Sequence, residues 1–94
     1  MQLKFIASSG QLVKYLDRIM EFLDLEVKVK IEDGELQIGG FRGFYVESNM
    51  VGDLTMPKHK LQHLTRILKL ISDQPLTIRI GHCNNWIEIN YLQL

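Results

Sequence analysis

The chain has 94 residues, with 11 Lys and Arg against 11 Asp and Glu, so its formal net charge is zero. Hydrophobic residues make up 46% and charged residues 23%, which describes one small globular domain rather than a disordered or fibrous chain. Zero net charge argues against tight nonspecific nucleic-acid binding by an isolated copy, yet leaves room for a local basic face.

A core of this size is modest, and oligomerisation would bury more surface. Cys83 is the single cysteine, so no intrachain disulfide is expected and a reducing compartment is. No apolar run approaches a membrane span and no signal-peptide pattern opens the chain, so a cytoplasmic location is expected.

The first segment, "QLKFIAS", reads as a short strand, and Ser8 or Ser9 offers an N-cap for a helix. From Gln11 to Leu23, the residues Val13, Leu16, Ile19, Met20 and Leu23 recur at helical spacing. "EVKVKIEDGELQIGG" then alternates. Val27, Val29 and Ile31 share one face, "EDGE" makes a hairpin turn, and Leu36 and Ile38 continue the inward face. Gly39, Gly40 and Gly43 mark a loop or bulge. "FYVESNMV" is predicted as a strand and "GDLTMP" as a short one. Pro57 then sits in the first turn of a second helix running to Ile71, where its missing N–H costs nothing. Pro75 lies beyond that helix. "PLTIRIGH" and "WIEINYLQL" are predicted as two strands joined by the polar turn "CNN".

The two helices resemble each other. At a spacing of 48 residues, "YLDRIMEFLD" lies over "HLTRILKLIS", matching Leu16 with Leu64, Arg18 with Arg66 and Ile19 with Ile67. Val13, Met20 and Leu23 fall on Leu61, Leu68 and Ile71. A short strand precedes each helix and alternating strands follow, so the chain reads β-α-β-β-β, then β-α-β-β. Residues 1–51 and 52–94 would form an internal repeat within one domain. The plainer reading is that two amphipathic helices look alike through patterning alone.

The segments "MQLKFIASSGQLVKYLDRI", "VKIEDGELQIGG" and "GDLTMPKHKLQHLTRILKLISDQPLTIRI" resemble one domain of a DNA sliding clamp, the fold of the bacterial DNA polymerase III β subunit. The resemblance covers nearly the whole chain and is one of pattern. It implies an α+β, clamp-like fold of two β-α-β-β(-β) units, with two helices packed on one face of antiparallel sheet. It further implies a non-enzymatic role in DNA replication, with several domains closing a ring around duplex DNA and the helices lining the hole. The chain departs from the family in holding one domain where clamp subunits hold two or three. Its second unit also ends one strand short, leaving an open sheet edge that invites pairing with another chain.

On the second helix Leu61, Leu64, Leu68 and Ile71 make one stripe, and His59, Gln62, Arg66 and Lys69 lie opposite, flanked by Lys58 and His63. On the first, Lys14 and Arg18 face outward beside Asp17 and Glu21. Lys14, Arg18, Lys58, His59, Arg66 and Lys69 are therefore the candidate phosphate-facing set. A merely solvated surface is the plainer reading. His59 and His63 have a spacing that can hold zinc, but Lys58, Lys60 and Arg66 would repel a cation, so no metal is expected. His82 and Cys83 are adjacent on a strand end and point to opposite faces, a poor geometry for catalysis. "FRGFY" resembles part of an RNA-recognition signature but carries Tyr45 and Val46 where a small residue and a stacking aromatic belong. That reading needs Phe5 and Phe44 exposed on one sheet face. Trp86 and Leu92 share a partly polar strand face and are the candidate oligomer contacts.

The leading expectation is an oligomeric clamp-like protein that contacts duplex DNA, with no cofactor, membrane or small-molecule substrate. The rival is a homo-oligomeric interaction module of the same fold without DNA binding.

Overall fold

A computed structural model describes all 94 residues. Strand β1 (Gln2–Ser8) leads into helix α1 (Ser9–Ile19), which tightens into a 3-10 turn at Met20–Phe22. Strands β2 (Glu26–Glu32), β3 (Glu35–Ile38) and β4 (Phe41–Tyr45) follow. Strand β5 (Gly52–Pro57) leads into α2 (Lys58–Leu68), then β6 (Pro75–Gly81), β7 (Trp86–Ile89) and β8 (Leu92–Gln93). The protein is α+β, with eight strands in two antiparallel four-stranded sheets ordered β4-β3-β2-β5 and β1-β6-β7-β8. The expected single sheet surface is thus divided in two. The division arises because each pre-helix strand leaves its own half: β1 pairs with β6 and β5 pairs with β2. Adding four to each strand number, with β1 following β8, turns one sheet's order into the other's.

The halves correspond at an offset of 49 rather than 48. Ser9 and Lys58 open the two helices, and Ile19 and Leu68 close them. Glu26 and Pro75 likewise open β2 and β6, and Glu32 and Gly81 close them. Buried positions obey the same offset: Leu12, Tyr15, Leu16 and Ile19 correspond to Leu61, Leu64, Thr65 and Leu68. Val27, Val29 and Ile31 correspond to Leu76, Ile78 and Ile80. The sequence match of Arg18 with Arg66 is therefore not a structural one; Arg18 corresponds to Ile67, and Asp17 corresponds to Arg66.

Local chemistry explains the element ends. Ser8 is the N-cap of α1, its Oγ accepting from the Gln11 N–H at 3.3 Å. Pro57 is the last residue of β5 and the N-cap of α2, one position before the expected first turn, and it supplies no side-chain cap. Asp33 and Gly34 take positive φ values of 52° and 79° in the two-residue hairpin, as a turn matched to strand twist requires. "WIEINYLQL" is two strands, because Asn90 and Tyr91 adopt positive φ (49° and 69°) and reverse the chain. The second half therefore has its third strand, short as it is. "FYVESNMV" is no strand beyond Tyr45; the chain continues irregularly, and Glu47 makes one isolated bridge with Ile6. The glycine loop holds the expected bulge: Ile38 pairs with Phe41 and Leu36 with Phe44, so β4 carries one extra residue.

One contiguous core of 23 buried apolar residues joins both sheets to both helices. Strand alternation leaves the opposite sheet faces polar, as in β2, where Glu26, Lys28 and Glu32 are exposed between Val27, Val29 and Ile31. The helices lie antiparallel, since the start of each meets the segment after the other. The Ser9 N–H donates to the Gln74 carbonyl at 2.9 Å, and the Lys58 N–H donates to the Leu25 carbonyl at 2.8 Å.

Candidate nucleic-acid interface

Burial of one stripe of each helix forces the opposite stripe outward, and that outer layer collects most of the basic residues. Six of the eleven Lys and Arg (Lys14, Arg18, Lys58, Lys60, Arg66, Lys69) lie on the helices and the turns that end them. Only Asp17 and Glu21 of the eleven acids do. A chain with no net charge is therefore polarised, with a positive helix layer and a net-negative remainder.

The candidates differ in how free they are. Lys14, Arg18, His59 and Arg66 are exposed. Arg18 lies over the Tyr15 ring, 5.6 Å from its centroid, which orients the guanidinium without neutralising it. Lys69 is exposed but pairs with Asp17 across the helix interface at 3.0 Å. Lys58 is half-buried, and its Nζ donates to the Leu23 carbonyl at 3.2 Å, closing the turn after α1. Its charge therefore serves the fold as well as the surface. His59 and His63 are both exposed, and no group of three or more His, Cys, Asp or Glu side chains forms anywhere that could hold a metal ion.

The sheet aromatics that an RNA-recognition reading needs are not displayed. Phe5 is only 2% exposed, and Phe44 is half-buried with its ring edge against Tyr15 at 5.8 Å.

Trp86 and Leu92 do not share a face. Trp86 lies on the outer face of β7, an interior strand, over Gly81, where a Cβ would come within 2.2 Å of the indole. The Arg79 guanidinium sits 5.4 Å from its ring and bonds Glu88 at 2.8 Å. Leu92 is paired with Ile89 on the outermost strand and is 74% exposed. The intervening turn at Asn90 and Tyr91 breaks the alternation on which the sequence expectation rested.

Sequence patterning had no signal for two features. Tyr15, absent from the predicted stripe, is buried, and its hydroxyl takes the Ile38 N–H at 2.8 Å and donates to the Phe41 carbonyl at 2.7 Å. Asp73 caps α1 from across the molecule, accepting from the Ser8 hydroxyl at 2.7 Å and the Gly10 N–H at 3.0 Å.

No helix is long and apolar enough to cross a membrane. No family model, curated protein or solved structure matches the chain.

Proposed function

We propose that this protein is a non-enzymatic, clamp-like DNA-associated domain that works as an oligomer and meets duplex phosphates through its helix layer. The observation that carries the reading is the charge separation: the helices and the turns that end them hold six of eleven basic residues and two of eleven acids. Flexible Lys and Arg side chains on an exposed layer suit a polyanion that is held without being read in sequence. The exchange of pre-helix strands between halves supports the clamp-like part, because it sets two equivalent helices side by side on one surface. Lys14, Arg18, His59 and Arg66 are the contact residues, with Lys58 and Lys69 contributing charge from their tethered positions.

A second reading, an interaction module of the same fold without DNA binding, is favoured by one specific observation: Lys69 is already paired with Asp17 at 3.0 Å. Duplex-DNA binding at low salt separates the two. Lys14→Glu combined with Arg66→Glu leaves the core untouched and weakens binding at least tenfold on the first reading. Unchanged binding by that variant, or none by the native chain, leaves the interaction module.

A further inference from the structure

The sheet face turned away from the helices differs between the two sheets. Strand pairing sets Gln2, Gly81 and Trp86 in one outer row of the β1-β6-β7-β8 sheet and Lys4, Arg79, Glu88 and Gln93 in the next. This sheet carries Lys4 and Arg79 against Glu88, whereas the other, with its hairpin turn, carries three basic residues against five acids. Outside the helix layer, positive excess is thus confined to one sheet.

On that face rings and cations alternate. The Arg79 guanidinium lies 5.4 Å from the Trp86 ring and 5.8 Å from the Tyr91 ring, and Lys4 Nζ lies 5.7 Å from the Tyr91 ring. Arg79 is fixed by Glu88 at 2.8 Å and by the Gln2 side chain at 3.2 Å. Lys4 is exposed and in no ion pair.

Tyr91 reaches this face from a strained backbone. Asn90 and Tyr91 turn the chain between β7 and β8 as Gly39 and Gly40 turn it between β3 and β4, and all four have positive φ. Two glycines meet that demand freely in the first half. A tyrosine in the left-handed region is an outlier, and strain of this kind gathers at functional sites. Its ring is 62% exposed.

We propose that the outer face of this sheet is a stacking platform for single-stranded nucleic acid. Bases stack on Trp86 and Tyr91, Lys4 meets a phosphate, and Arg79 positions both rings. A single strand offers flat, apolar bases joined by negative charges, which matches the alternation, whereas a duplex hides those base faces. A neutral glycan or a proline-rich peptide would use the rings and leave Lys4 unanswered. The proposal does not rest on the clamp-like reading or on the helix layer.

Trp86 is the single tryptophan, so its fluorescence reports on this face alone. Titration of the full chain with oligodeoxythymidylate should quench it, and an abasic oligomer of equal length should not. Tyr91→Gly gives the turn the residue type found at Gly40. It should leave the urea midpoint unchanged or higher while weakening strand binding about fivefold or more. Lys4→Gln should reduce the log–log salt slope by about 0.7. Tyr45→Ala, which removes an exposed tyrosine from the other sheet, should bind as the native chain does. Absence of quenching by the strand, equal quenching by the abasic oligomer, or native affinity in Tyr91→Gly would each overturn the proposal. Quenching by a neutral oligosaccharide or a proline-rich peptide but not by the strand would overturn it in favour of that occupant. A strand held only by the helix layer leaves Trp86 unquenched, so this proposal and the duplex reading fail separately.

Discussion

The Tyr15 hydroxyl ties the buried face of α1 to both strands of the β3–β4 hairpin, accepting from Ile38 and donating to Phe41. Burial raises its pKa above the ordinary 10.0, against the lowering effect of the Ile38 N–H, so the neutral form is the one the fold holds. Tyr15→Phe leaves the Ile38 N–H without its partner in the core and should cost about 1–3 kcal/mol in urea unfolding. Asp73 is the opposite case, an exposed carboxylate useful because it is charged. The Ser8 hydroxyl first, and the Gly10 N–H second, hold its pKa below the ordinary 3.8. A folded-state pKa below the unfolded one gives stability that is present above about 3.8 and lost as pH falls through the lowered value. Asp73→Asn should therefore lower the urea midpoint at neutral pH. The gap to the native protein should close as pH falls below that window. Neither residue was legible in advance. Tyr15 is an aromatic one position from the predicted stripe, and Asp73 acts on a helix 63 residues away in sequence.

At the scale of elements, α2 breaks a local rule. Its first turn carries Lys58, His59 and Lys60 and no acid, and its cap is Pro57, although a helix N-terminus favours negative charge. His59→Glu should stabilise the isolated fold by about 0.3–1 kcal/mol while weakening any DNA binding. Opposite movement of thermal stability and affinity would mark His59 as a residue carried at a cost to the fold. Leu64, 1% exposed on the same helix, answers to packing alone, and Leu64→Ala should cost about 2–5 kcal/mol. The amphipathic period of both helices was legible in the sequence, as was the alternation of β2, β3 and β6. The repeat register was not. A one-residue shift turns a helix by about 100°, and broad apolar stripes still overlap after that rotation. Only strands with period two, in which a shift of one exchanges the faces, discriminate an offset of 49 from 48.

For the whole molecule the decisive property is where charge and apolar surface accumulate once the halves are joined. The helix layer gathers cations that are scattered among acids along the sequence. If phosphates meet that layer, the affinity for duplex DNA should fall steeply with salt. Lys14→Glu plus Arg66→Glu should reduce the log–log salt slope by about 2, near 0.9 for each phosphate that is no longer neutralised. A slope that does not change would place those side chains away from the phosphates, whatever the affinity. The local periods, the hairpin turn at Asp33 and Gly34, the core faces of the strands and the amphipathic character of the helices follow from residue order alone. All of these depend on neighbours a few residues apart. That β1 and β5 change partners between halves, and that β8 exists beyond the Asn90–Tyr91 turn, was settled only in the folded chain. Those outcomes depend on pairings between distant strands and on turn residues in positive φ, for which neither hydrophobic period nor composition carries a signal.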